Sequence, residues 1–292
     1  MFLLIHFLYR MNQKKTILVT WDFTKVSENA FLHALKIAKN VDNKIRLLHV
    51  IKTEDQISIK ERESKLLKDA GQLSKQYAVP VETIILQGSI FNEISKYTAD
   101  QKDLNMVVMG THGIKGKQKY FGSFALRVII GSPVPFIVVQ EPPLDKERFS
   151  NIVFPIDFKS ENKEKLQWAI FMGKYFNAKV HLYKAPVKDK SLARKINTNL
   201  NFAIRFLIQN NLEYEIHTTP TSRNFGKEMM AFSKEIAADL ILITTTKNIT
   251  IMDYIFGAPE QFIMANPSRI PVMVVNPKMS FSNMGQFMLG ST

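Results

Sequence analysis

Residues 107–123 read Val107-Val-Met-Gly110-Thr-His112-Gly113-Ile-Lys-Gly-Lys-Gln-Lys-Tyr-Phe-Gly122-Ser123, and the rest of the chain is best read outward from them. The apolar run Leu104 to Met109 has the length of a buried strand and stops at Gly110. A loop follows that carries Gly113, Gly116 and Gly122 with Lys115, Lys117 and Lys119. Phe124 then opens an apolar segment that predicts a helix ending near Gly131, with Ser123 as its N-cap. Glycines let a backbone approach a ligand, and the free N–H groups of a helix start attract anions, so the pattern predicts a phosphate cradle. It is not a Walker loop, because Gly116-Lys117 is followed by Gln118 and position 111 is a threonine. Nor do the glycines fall in a tight turn after an early strand, as a dinucleotide fingerprint requires.

Gly110, Gly113, Gly122 and Ser123 resemble the nucleotide-binding signature of the universal stress protein family, in the family's order. The spacer Ile114–Phe121 holds eight residues, one fewer than the family pattern. Asp22 at the end of the first strand and His49-Val50 at the end of the second extend the likeness. It implies that Thr20, Asp22, Val50, Met109, Gly110, His112, Gly113, Gly122, Ser123 and Phe124 bind ATP or another adenine nucleotide, with or without Mg. In that scheme Asp22 lies at the nucleoside and Val50 meets the adenine through its backbone. Asp22 has an equal structural explanation, capping the helix that begins near Lys25. His112 is expected to shape the loop, at least two of the three lysines to face solvent, and Arg127 to serve an ion pair.

Strands and helices alternate outward from this stretch. Thr16–Trp21, Lys44–Ile51, Val81–Leu86, Leu104–Met109 and Pro135–Gln140 read as strands, and Val26–Asn40, Ser58–Tyr77 and Ile90–Asp100 as helices. This predicts an α/β fold with a five-stranded parallel sheet and right-handed crossovers. The resemblance implies the strand order 3-2-1-4-5, which places the ligand between strands one and four.

The second half repeats the first. Ile152-Val-Phe-Pro-Ile-Asp157-Phe matches Ile17-Leu-Val-Thr-Trp-Asp22-Phe; Asp157 follows Asp22 by 135 residues, and Gly257 follows Gly122 by the same interval. The expected organisation is an extension over 1–13, a first doubly wound domain over 14–144, a second over 145–280 and a mobile tail over 281–292. At the same interval Gly110 becomes Thr245, Gly113 becomes Asn248 and Ser123 becomes Ala258, so the second copy is expected to bind no nucleotide. The resemblance further implies pairing of the two domains through their fifth strands, Phe136–Val139 with Val272–Val275, and leaves room for a homodimer.

Composition narrows the alternatives. There is no cysteine, which excludes disulfides and cysteine-bound metals and fits a reducing cytoplasm. The six histidines show no metal-ligand spacing and are expected to be isolated structural or surface residues; no metal site is expected. The net charge of +13 is spread over both halves without a basic block, which weighs against nucleic acid. The apolar run Met1–Tyr9 is too short to span a bilayer and lacks the flanks of a signal peptide, so no membrane association is expected. Met11, directly behind Arg10, is the expected start of translation.

The expected function is a cytoplasmic regulatory module of the stress response, with a nucleotide-free interaction scaffold or a slow ATPase as alternatives. Catalysis is the weaker expectation, because Asp22 has no second carboxylate near it in sequence. A Ser123-His112-Asp22 triad lacks a strained nucleophile turn.

Overall fold

The computed structural model describes residues 15–52, 56–111, 128–130, 132–144, 148–156, 162–219, 225–245 and 266–276. In the first half β1 (Thr16–Thr20), β2 (Lys44–Ile51), β3 (Val81–Gln87), β4 (Leu104–Gly110) and β5 (Phe136–Val139) alternate with α1 (Lys25–Val41), α2 (Gln56–Tyr77) and α3 (Ile90–Asp100). Residues 128–130 are helical; the remainder of the helix expected from Ser123, including its cap, lies outside the described residues. In the second half β6 (Asn151–Ile156), β7 (Lys179–Lys184), β8 (Tyr214–Thr218), β9 (Leu240–Thr244) and β10 (Val272–Val275) alternate with α4 (Asn162–Phe176), α5 (Lys190–Gln209) and α6 (Phe225–Glu235).

Each half has the order 3-2-1-4-5, and the two join into one ten-stranded sheet, β3-β2-β1-β4-β5-β10-β9-β6-β7-β8. Within each half the strands are parallel; β5 and β10 meet antiparallel, with Val138 opposite Val272 and Ile137 opposite Met273. The fifth-strand pairing implied by the resemblance is therefore present. Both faces of the sheet are covered, so the strands are apolar on both sides rather than alternating with polar residues. Ile17, Val19, Leu47, Val108, Ile137, Met273 and Leu242 build one core layer, and Leu18, Leu48, Val107, Phe136, Val272 and Ile241 the other. Each layer runs through both halves.

α1 shows how the helices attach. Ala30, Phe31, Ala34, Leu35, Ile37 and Ala38 recur at helical spacing and are buried against β1 and β4. Thr24 caps the first turn, and Asp42 ends the helix in the left-handed conformation with its N–H on the Ala38 carbonyl.

The seam between the halves is isologous. Gln140, just past β5, donates from Nε2 to the Asn266 carbonyl at 2.9 Å. Asn276, just past β10, donates from Nδ2 to the carbonyl of Ile130, the counterpart of Asn266. Beside the seam, Arg269 pairs with Glu141, Asn29 donates to the Gln140 carbonyl, and the buried His33 ring meets the Glu141 carbonyl at 3.1 Å. Phe149 ties the connecting segment to both halves, under the Lys36 ammonium at 4.2 Å and edge-on to Phe176.

Candidate functional site

The strand order of the first half reverses between β1 and β4, and a cleft opens at such a point beyond the carboxyl ends of the strands. Thr20 ends β1, Val50 lies one residue from the end of β2, and Met109 and Gly110 end β4. Parallel pairing therefore brings four of the expected residues to one end of three adjacent strands. Met109 is buried, whereas Thr20, Val50 and Gly110 are half-buried.

Asp22 follows β1 and is exposed. Its Oδ1 accepts from the Thr24 hydroxyl at 2.6 Å and from the Thr24 N–H at 3.1 Å. Asp22 is thus not the helix cap: Thr24 caps α1, with its hydroxyl oxygen facing the Ser27 N–H, and Asp22 holds Thr24 in place. Phe23 between them adopts φ 63°, unusual for a bulky residue. Its ring lies edge-on to His49 at 4.7 Å and beneath the Lys65 ammonium. His49 donates from Nδ1 to the Trp21 carbonyl at 2.6 Å, and Trp21 Nε1 donates to Asp69, so the turn is tied to β2 and α2.

Gly110 is glycine for a reason that lies in the packing. A β-carbon there would stand 2.5 Å from both the carbonyl oxygen and a methyl group of Val26 in the first turn of α1. The same closeness sets the Asp22–Thr24 turn and the start of the glycine loop side by side. His112, Gly113, Gly122, Ser123 and Phe124, with Lys115, Lys117, Lys119 and Arg127, lie outside the described residues.

The second half departs from the interval counted along the sequence. Thr111 donates its N–H to Val139, which ends β5, at 2.8 Å; Thr245 donates to Val275, which ends β10, at 3.0 Å. Gly110 pairs with Val139 and Thr244 with Val275, so the counterpart of Gly110 is Thr244 and not Thr245. An irregularity in the pairing of β1 with β4 between Thr16 and Ile17 places one more residue in β4. A β-carbon replaces the glycine under either alignment.

The histidines are not all isolated, as the sequence suggested. His181 on β7 and His217 on β8 face each other, Nδ1 to Nε2, at 3.1 Å, and Oε2 of Glu215 lies 3.6 Å from each of those nitrogens. His181 is pushed below its ordinary pKa by burial and then by His217, with Glu215 opposing. The two histidines stand 36 residues apart, and only strand register joins them. The available signal was Glu215 and His217 at a two-residue spacing, which puts both on one face of a strand.

Residues 14–140 match the model of the Universal stress protein family. A universal stress protein of Methanocaldococcus jannaschii is 32% identical over 145 residues, 45% of this chain and 85% of that protein. A putative universal stress protein of Staphylococcus saprophyticus is 27% identical over 160 residues, 50% of this chain and 95% of the relative. A solved universal stress protein from Archaeoglobus fulgidus shares the fold with a TM-score of 0.73 at 20% identity, over 90% of this chain and 96% of that one. That likeness spans both halves.

Proposed function

Because this chain belongs to the universal stress protein family, we propose that its first half binds ATP or a related adenine nucleotide, with or without Mg, and acts as a cytoplasmic regulatory module of the stress response. One observation carries the proposal: the exposed Asp22 carboxylate, oriented by Thr24, shares one strand-end wall with Thr20, Val50, Met109 and Gly110. The donor set fits a nucleoside. Asp22 would accept hydrogen bonds from ribose hydroxyls, and the main chain at Val50 would take the adenine edge. The glycine loop from Gly110 to Ser123 would hold the phosphates with its N–H groups. Among the described residues no helix is long and apolar enough to cross a membrane.

The second half is assigned a supporting role. Thr244 stands where the first half has Gly110, while the seam at β5 and β10 makes the second half part of the same sheet. No bond-breaking step is proposed for the site; the bound nucleotide would instead bias the protein towards its partners.

The test is to purify the full chain natively, denature it and identify any released nucleotide by mass spectrometry, with Gly113→Val in parallel. Near-stoichiometric adenine nucleotide from the wild type and none from the variant is the expected result. A wild-type protein that releases none, and that fails to bind added ATP in equilibrium dialysis, would overturn the proposal.

A further inference from the structure

The second half carries a polar cluster on β7 and β8, separated from β4 of the nucleotide site by four strands of the sheet. It comprises His181, Glu215 and His217, whose nearest ligand atoms form a triangle with sides of 3.1, 3.6 and 3.6 Å. A tetrahedral ion with bonds of about 2.0–2.1 Å sets its ligand atoms roughly 3.3–3.4 Å apart. A point roughly 2 Å from all three atoms therefore exists at the centre of this triangle, at the bond length that zinc takes with nitrogen and oxygen. We propose that His181, Glu215 and His217 bind one divalent transition-metal ion of the zinc class, with a fourth position left to water.

The surroundings prepare these ligands. Asn151 Nδ2 donates to the Ile236 carbonyl at 3.0 Å, which turns its Oδ1 towards Nε2 of His181 at 3.1 Å. An amide oxygen can only accept, so the His181 proton sits on Nε2 and the Nδ1 lone pair points at His217 and Glu215. Without metal, His217 Nε2–H donates to that lone pair. On binding, the ion replaces this proton, which moves through solvent to Nδ1 of His217. Lys179 takes the other oxygen of Glu215, Oε1, at 2.9 Å and leaves Oε2 for the ion. Phe232 closes the apolar side, 4.4 Å from the His217 ring and stacked on Tyr183 at 4.9 Å.

The first half shows what is missing here. Arg46 pairs with Glu82 across β2 and β3 in the register that joins His181 to Glu215 across β7 and β8. Lys44 bonds Glu82 as Lys179 bonds Glu215. In place of Arg46, whose guanidinium meets Glu82 at 2.6 Å, the second half has an imidazole, and a second imidazole stands in place of Ile84. A fixed organic cation has given way to two neutral nitrogen ligands around the same carboxylate. A divalent ion restores the positive charge. Bound there, it would fasten the edge strand β8 to β7.

The test uses the full chain, stripped with chelator and titrated with zinc chloride by calorimetry, with cobalt(II) absorption reporting the ligand field. One ion per chain is expected, with visible cobalt bands of a four-coordinate nitrogen and oxygen site. His217→Ala and Glu215→Gln should each weaken binding by at least about tenfold. His181→Arg, which rebuilds the first-half ion pair and so keeps the fold, should abolish it. His6→Ala combined with His112→Ala should leave it unchanged. Circular dichroism confirms that each variant folds. Absence of saturable binding, or binding that survives His181→Arg or disappears with His6→Ala and His112→Ala, would overturn the site.

Discussion

The two halves share one strand order and one seam, yet they differ at both ends of their sheets. At the carboxyl end of strand four the first half has Gly110 and the second has Thr244. At the opposite corner the first half closes Glu82 with Arg46, whereas the second surrounds Glu215 with His181 and His217. The apolar layers did not diverge in this way: Val19 and Phe154, or Ile137 and Met273, do the same work in the same place. Duplication has kept the cores equivalent because each layer is continuous across the seam and a change of volume on one side is felt on the other. Polar positions at the rim answer to local partners alone, and the halves became different there.

The largest expected effect follows from Gly110. Val26 leaves no room for a β-carbon at that position, and the obstacle includes main chain, which yields less readily than a side chain. Gly110→Val should therefore displace the first turn of α1 and with it the Asp22–Thr24 turn. The expected destabilisation is roughly 3 kcal/mol or more in urea denaturation, together with loss of nucleotide. Thr244→Gly, the reciprocal change, should cost only about 1 kcal/mol, from the added chain freedom of a strand glycine. Equal costs for the two would mean that the halves pack their first helices alike and that Gly110 is not set by Val26.

A second contrast is electrostatic. His33 in α1 corresponds to Trp168 in α4, since Ala34, Ile37 and Lys39 recur as Ala169, Met172 and Lys174. Burial lowers the His33 pKa from 6.5 to about 4, against the hydrogen bond to the Glu141 carbonyl and with a small push from Lys36. The folded protein thus binds this proton less readily than the unfolded chain. Stability from the neutral ring is complete above pH 6.5 and is lost as the pH falls from there towards 4, roughly 3 kcal/mol in all. Urea midpoints measured across that window should fall in the wild type and fall distinctly less in His33→Gln. Trp168 has no proton to gain at the equivalent place, so the part of the acid loss that His33→Gln removes belongs to the first half and its seam, beside the loss that the lowered pKa of His181 adds in the second half. Urea midpoints that fall equally in the wild type and in His33→Gln would contradict this.

The alternation of strands and helices and the repeat were legible because they rest on apolar runs read along the chain, whereas the strand order and the fifth-strand seam were implied by the family resemblance. Lys44–Ile51 and Ile90–Asp100 have the bounds expected from their pattern alone. Gly110 was legible as a special position but not in its cause: the sequence shows a glycine beside lysines, and Val26 is remote from it along the chain. The one-residue shift from Thr245 to Thr244 was hidden for a similar reason. It arises from an irregular register between β1 and β4, which counting residues does not reveal. The histidine corner was the least visible, because His181 and His217 meet only through the pairing of β7 with β8. The alignment that exposes it, Arg46 with His181, becomes meaningful only when both partners on the neighbouring strands are known.

Arg46 provides the smallest and most discriminating test of the contrast. Its Nε and Nη2 donate to Glu82 Oε2 at 2.9 and 2.6 Å, and Nη1 donates to the Tyr97 hydroxyl at 2.7 Å. The hydrogen bond from Arg46 is the main reason that the Glu82 carboxyl is held below the usual range, with Lys44 adding to it and burial opposing. The side chain is only 17% exposed, so these bonds are partly sheltered, but Glu82 is open enough for solvent to screen much of their Coulombic part. Arg46→Met should therefore cost about 1–2 kcal/mol, most of it from the polar groups left behind, and Tyr97→Phe less than half as much. In the second half, replacing Lys179, whose pair with Glu215 is more open to water than Arg46 is, should leave the urea midpoint where it was. If Arg46→Met were equally silent, the guanidinium would be surface decoration, and the two corners would differ in composition but not in what they contribute to the fold.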